Sequence, residues 1–338
     1  MFITPQNPEW ENFLTATRSD MYHLPGFSEL ESRLLGGAPL AWLCETTKGK
    51  ALIPLIKRPV PNLPGRFDLT SPYGYPGVLL TYEPVSAEIS HLFELFGQDA
   101  AEKGYISSFI RLNPLLNRWK IQQTSCIRQW HHGHTVSLDL RNPMEAIIVF
   151  FSLNHQRNIR KLKEAGYRAV YGKWENFSDF LQAYRQTMVR RQANPYYFFP
   201  DGYFEELRRL LGSKLHFIGV ADPSGLIVSG GLFTVFSNIM QYHLGGTIDT
   251  ALKHSPSKLM IEGAILEGKR LDAEILHLGG GVGASTSDGL FRFKRGFSSS
   301  MHPYSTVHII HERATYESLR RNNKAMHKTE YFPVYRAV

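Results

Sequence analysis

The residues best placed to do chemistry in this chain cluster between Glu274 and Phe297, in EILHLGGGVGASTSDGLFRFKRGF. Ile275, Leu276 and Leu278 read as a short apolar strand. Gly279, Gly280, Gly281 and Gly283 follow as a loop whose backbone is free to take positive φ and approach a ligand. Asp288, Leu290, Phe293, Lys294 and Phe297 come next, with anchors three or four residues apart. That spacing holds one lysine at the mouth of a backbone-lined pocket. The plainer alternative is an ordinary glycine turn with a solvated lysine.

A second group is the basic run NHQRNIRKLKEAG, which places Arg157, Arg160, Lys161 and Lys163 within two helical turns and leaves Ile159 and Leu162 to face a core. It reads either as a phosphate-contacting face or as a solvated helix surface. A net charge of +8 and a pI near 9.3 add a general attraction to polyanions such as nucleic acid or nucleotide phosphates. Other motifs fail. Gly263, Gly268 and Lys269 fit most of a GxxxxGK phosphate loop, but Arg270 replaces its Ser or Thr and the residues fall inside a helix. Gly281 and Gly283 begin a G-x-G, yet Thr286 stands where a dinucleotide fingerprint needs Gly or Ala. His131, His132 and His134 crowd one loop without an HExxH pattern or a carboxylate partner, so no metal is assigned. Cys44 and Cys126 form no CxxC and read as buried thiols, and no Gly-x-Ser-x-Gly elbow is present.

The elements that must position these residues follow from periodicity. A chain of 338 residues with 43% apolar content is large enough for two domains, each with its own core. It has no run of eighteen apolar residues, and MFITPQNPEWENF lacks a basic n-region and an apolar h-region. No membrane span or signal peptide is therefore expected, and the cytoplasm is the expected location. Helices are predicted over Pro8–Thr17 and Phe27–Leu35, then a hairpin of Leu40–Glu45 with Lys50–Lys57, a Pro- and Gly-rich loop from Pro59 to Gly77, a helix over Ser86–Lys103 and a strand over Ser107–Leu112. A similar order repeats from the strand Thr135–Leu140. A helix runs from Asn142 to about Glu164, with Gly166 as its stop, and further helices cover Phe177–Ala193 and Phe199–Leu211. Strands Lys214–Ala221, Leu226–Val235 and Ile239–Gly245 form a meander, and a helix capped by Ser255 and opened by Pro256 reaches about Arg270. Beyond Phe297, a strand over Thr306–His311 leads to a polar helix and a basic tail.

Several of these segments, in this order, resemble the FemAB-like, FemX-type branch of the GNAT acyltransferases. They are SPYGYPG at Ser71–Gly77, the basic helix ending at Gly166, the TMVR segment at Thr187–Arg190 ahead of YYFF, the meander, and LGGG followed by FKRGF. The resemblance covers most of Leu40–Ser300. It implies an α/β (α+β) fold of two tandem GNAT-like domains, each a mixed, mostly antiparallel sheet flanked by helices. The first would be 1–134 with 312–338 returning to it, and the second 135–311. In that fold a splayed pair of central strands turns backbone N–H groups toward an acyl carbonyl.

The reaction implied is transfer of an acyl or aminoacyl group from an activated ester or thioester to an amine, by direct attack without a covalent enzyme intermediate. By this resemblance Lys294 stabilises charge on the donor carbonyl or leaving oxygen, and Asp288 orients it or the amine, a helix cap being the alternative role. Gly280 and Gly281 would line the substrate. Arg190 and Arg191 would grip an anionic substrate through their planar forks, or serve as ordinary surface charges. Tyr73 and Tyr75 would make a rigid aromatic turn beside the substrate or simply shape their loop, and Tyr242 is a proton donor or a core aromatic. The family's CoA-dependent members hold pyrophosphate on a glycine-rich loop at the helix after the meander. Here that segment, Leu252–Lys258, reads LKHSPSK without glycine. Aminoacyl-tRNA is therefore the implied donor, with Lys258 joining the basic helix on its phosphates and no cofactor required. Acetyl- or acyl-CoA is the alternative. The acceptor amine, on a peptidoglycan precursor or on a small-molecule or peptide intermediate, stays open. A non-catalytic nucleic-acid- or anion-binding module is the rival from another class.

Overall fold

In each half of the chain one pair of sheet neighbours is parallel, and a helix makes the crossover that a parallel pair requires. The computed structural model describes residues 1–282, 288–325, 327 and 331–337. It divides into two units, Met1–Gly133 with Pro303–Val338, and His134–His302. Gly283 and Thr286 lie outside the described residues, as does part of the basic tail.

In the first unit the strands run in the order Phe2–Ile3, Ala38–Thr46, Gly49–Pro59, Phe67–Thr70, Tyr105–Arg111 and Met301–Ile310. Phe67–Thr70 and Tyr105–Arg111 are the parallel pair, and Ser86–Glu102 is the helix between them. That helix buries Ile89, Leu92, Phe93 and Phe96 in one cluster with Trp42, Ile53 and Ile110. The strand Met301–Ile310 pairs with Tyr105–Arg111 from Thr306 opposite Arg111 to Ile310 opposite Ser107. Residues 303–311 therefore stand with the first unit and not with the 135–311 implied by the resemblance.

The second unit orders its strands as the end of Ile127–Asp139, then Ile275–Gly279, Ile239–Thr247, Ile227–Phe236, Leu215–Ala221 and Arg168–Tyr171. Among the described residues only Ile239–Thr247 and Ile275–Gly279 are parallel to each other, bridged by the helix Ser257–Arg270. Met260, Ile261, Ala264 and Ile265 of that helix pack with Phe233, Met240, Leu276 and Leu278. This is the mixed α/β architecture expected from the sequence. Among the described residues, no helix is long and apolar enough to cross a membrane.

Some elements differ from their expected form. The helix expected from Asn142 to Glu164 is two helices, Met144–Val149 and Leu153–Glu164. Ser152 divides them: its hydroxyl accepts from the His155 amide, and its own amide donates to the Gly296 carbonyl at 2.8 Å. Ser255 is not a helix cap but a left-handed residue at φ 57°, closing the 3-10 turn Asp249–His254, and Pro256 takes the cap position. The strands Arg168–Tyr171 and Phe67–Thr70 are too short to leave a period-2 signal.

Gly230 and Gly231 face Gly246 and Gly245 across the antiparallel pair. A Cβ at Gly246 would lie 2.5 Å from the backbone of Tyr184, so the helix Phe177–Arg190 rests directly on the strand. Gly246→Ala should cost about 1–3 kcal/mol through overpacking. An unchanged denaturation midpoint would contradict that close approach.

Candidate active site

The parallel pair at the centre of the second unit does not stay paired. Ile239, Met240 and Gln241 match Ile275, Leu276 and His277, and no further rung joins the two strands among the described residues, although Ile239–Thr247 continues well beyond Gln241. From Tyr242 onward that strand runs outside this ladder, the arrangement by which a parallel pair can turn backbone donors toward a ligand. A bulge between Leu232 and Phe233 shifts the register on the other side at the same level.

Lys294 reaches this point from the helix Gly289–Arg295. Its side chain is only 7% exposed, and its Nζ donates to the Gly280 carbonyl at 2.6 Å. The same nitrogen lies 5.7 Å from the centre of the Tyr242 ring. Burial pulls the ammonium down from its ordinary value to about 7, with the Asp288 carboxylate pulling the other way. A lysine in this state can exist as cation or free amine near neutrality.

Asp288 is the helix cap, the second of the two roles open to it. Its Oδ2 accepts from the amides of Phe291 at 2.8 Å and Val282 at 3.0 Å, which fixes both the helix start and the glycine loop. A Cβ on Gly281 would sit 1.9 Å from that oxygen, so only glycine lets the loop and the carboxylate meet. Gly279, at φ 73°, makes the turn out of the strand.

Tyr242 stacks on Phe233 with ring centres 5.0 Å apart, and its hydroxyl lies over Gly245, where a Cβ would come within 1.9 Å of it. Burial pushes the phenol above its ordinary range, which keeps it a proton donor at neutral pH. Lys294, Asp288, Gly280, Gly281 and Tyr242 are thus gathered at one place in the second unit.

Three residues not singled out from the sequence support this place. Gln241 and His277 share a hydrogen bond of 2.6 Å across the last rung, and the Gln241 amide donates to the Tyr242 carbonyl at 2.8 Å. Burial lowers the His277 imidazole to about 3, so it is neutral, with the His302 and Lys294 charges acting in the same direction. His155 donates a ring N–H to the Phe293 carbonyl at 2.9 Å and packs against Phe297. The local signal for these residues is slight, because their partners are far away in the chain.

The remaining candidates are placed differently. Arg190 pairs with Asp249 and points at the Thr247 carbonyl, so it braces the end of the strand; Arg191 is exposed. Tyr75 packs edge-on between Tyr22 and Tyr304 in the first unit, and a Cβ on Gly74 between Tyr73 and Tyr75 would strike the Tyr22 ring, so the SPYGYPG loop is a packed turn. In the basic helix, Lys163 pairs with Glu262 at 2.6 Å and Arg160 with Glu164 at 3.8 Å. Lys258, expected on tRNA phosphates, is 6% exposed, and with the Asn158 amide turned so that its oxygen faces the lysine it donates to that oxygen at 2.7 Å. Arg157 and Lys161 are exposed and have no ion pair among the described residues.

Two units, each a mixed sheet flanked by helices, with the parallel pair of the second opened beside a buried lysine, make the GNAT-like fold that the sequence resembled. Among solved structures the chain is similar to FemX, at 12% identity over 94% of this chain and 99% of that one, with a TM-score of 0.70. It is also similar to L-PGS from Bacillus licheniformis, at 13% identity over 90% and 92% of the two chains with a TM-score of 0.57. A third likeness is to the C-terminal domain of a lysylphosphatidylglycerol synthetase from Agrobacterium fabrum, at 11% identity over 92% and 93% with a TM-score of 0.54. The chain thus has the fold of FemX. No protein-family model matches the sequence, and no curated protein matches it.

The depressed Lys294 value sets a pH dependence of stability. Below about 7 the lysine is protonated in the folded and unfolded chain alike, and the burial penalty is felt in full. Between about 7 and the ordinary lysine value of 10.5 the unfolded chain binds more protons, so the penalty fades as pH rises. Lys294→Met should therefore stabilise the protein most below pH 7, with the difference from wild type shrinking toward pH 10. A difference independent of pH would show that the lysine is not desolvated.

Proposed function

We propose that this protein is an acyltransferase that forms an amide bond, moving an aminoacyl group from aminoacyl-tRNA to an acceptor amine at Lys294. The observation that carries the reading is the parting of the two parallel strands beside a buried lysine. The acceptor's neutral amine attacks the ester carbonyl, a C–N bond forms, and the C–O bond to the tRNA ribose breaks, its electron pair leaving on the ribose oxygen. The amine's proton passes to solvent, and the ribose oxygen takes one back from solvent to leave as a hydroxyl. Negative charge develops on the carbonyl oxygen and then on the leaving oxygen. The Lys294 cation, the backbone N–H groups beyond Gln241 and the Tyr242 hydroxyl are the donors assigned to that charge.

The donor assignment rests on the turn ahead of the helix Ser257–Arg270. It contains no glycine, and the Lys258 amide at the helix start is already spent on the Ser255 carbonyl at 3.1 Å, which disfavours a pyrophosphate cradle there. The net charge of +8 suits a polyanionic donor.

Binding of uncharged tRNA across a salt series, with CoA and acetyl-CoA in parallel, tests the donor. Affinity for tRNA that falls steeply with salt, without CoA binding, is the expected result. Acetyl-CoA binding without tRNA binding would replace the donor and leave the site reading intact. Lys294→Ala should lower kcat by about a hundredfold or more while tRNA affinity holds. Because the cation is the active form, the rate should decline as pH rises through about 7, and Lys294→Arg should abolish that decline. Unchanged transfer by Lys294→Ala would remove the lysine from the mechanism.

A further inference from the structure

The junction between the helices Met144–Val149 and Leu153–Glu164 ends in an apolar tip. Val149, Phe150 and Leu153 are 75%, 63% and 83% exposed. Single exposed apolar side chains are common, but three large ones within five consecutive residues mark a surface that is covered in use. Leu153, Arg157 and Lys161 stand four residues apart, on one face of their helix, so the apolar tip runs into two cations that have no ion pair among the described residues.

The tip is fastened to the helix that carries Lys294. The Ser152 amide donates to the Gly296 carbonyl at 2.8 Å, and the His155 ring donates to Phe293 at 2.9 Å. Arg292 and Arg295 on that helix are exposed and likewise without an ion pair among the described residues. Nearby acidic groups are Glu145, exposed on the preceding helix, Glu164 at the far end, held by Arg160, and the buried Glu262, held by Lys163.

We propose that this tip docks on an anionic lipid bilayer. Val149, Phe150 and Leu153 enter the boundary between headgroups and acyl chains, and Arg157, Lys161, Arg292 and Arg295 meet lipid phosphates. A polar face rich in Lys and Arg beside an exposed apolar one is the pattern that binds a membrane surface without crossing it. Each cation near an anionic leaflet contributes about a fivefold gain in affinity. Charge alone would fit nucleic acid equally well, but two of the three apolar side chains are aliphatic and offer no flat ring for a base to stack on. Arg157 and Lys161 are thereby given to lipid in place of the tRNA phosphates implied for them by the sequence resemblance, and this docking does not rest on the donor or acceptor assigned above.

The test is co-sedimentation of the intact protein with vesicles of phosphatidylcholine alone and of an equal mixture of phosphatidylcholine and phosphatidylglycerol. Binding to the mixed vesicles only is expected, weakened at least about tenfold in a Val149→Ser, Phe150→Ser, Leu153→Ser triple variant and again in Arg157→Glu with Lys161→Glu. All these positions are exposed, so thermal melts of the variants should match wild type and exclude misfolding. Absence of vesicle binding, or equal binding by the triple variant, overturns the proposal. Loss of tRNA affinity in the triple variant with vesicle binding retained would also overturn it and make the tip an RNA contact.

Discussion

The site depends on one costly arrangement: the amine of Lys294 held out of water against the carbonyl of Gly280. A buried ammonium with one backbone acceptor among the described residues and a carboxylate acting at a distance is poorly compensated, and its depressed proton affinity follows directly. The surrounding structure keeps the lysine there by fixing both ends of its helix: Asp288 caps the start, and at the other end His155 and Ser152 hold Phe293 and Gly296. An amine restrained in this way suits a reaction in which negative charge appears briefly on a neighbouring oxygen, since little reorganisation is needed when it does.

The parting of the parallel strands has an equally local cause. Gln241 spends its side chain on His277 and on the Tyr242 carbonyl at the last rung, satisfying polar groups where the ladder stops. Below that rung the crossover helix Ser257–Arg270 packs the two strands into the core. Above it the glycines at 245 and 246 leave room for the Tyr242 ring and for the helix Phe177–Arg190. The ladder is thus closed below Gln241, where the crossover helix packs, and open above it.

Much of this was legible in the sequence because it is local. Strand, glycine loop, Asp288 and Lys294 fall within one short stretch, and helical spacing was enough to put the lysine at the loop. The order of elements, the two-unit organisation and the mixed sheets were likewise carried by periodicity and by resemblance to the FemAB-like proteins. What could not be read depends on partners distant in the chain. Arg190 looked like an anion grip but meets Asp249, Lys163 meets Glu262, and Lys258 is buried beside Asn158. A basic residue's type does not reveal whether a carboxylate lies across from it. Gln241, His277 and His155 escaped notice for the same reason, and Ser152 broke an otherwise regular helical pattern through a hydrogen bond to Gly296.

The most direct test of the central claim is the titration of Lys294 itself, followed by carbon-13 NMR of reductively methylated lysines and assigned by the signal missing in Lys294→Arg. The account predicts that this one resonance titrates near pH 7, well apart from the surface lysines. Titration together with them, near 10.5, would mean that the lysine is solvated and that the pocket built around it is not an active site.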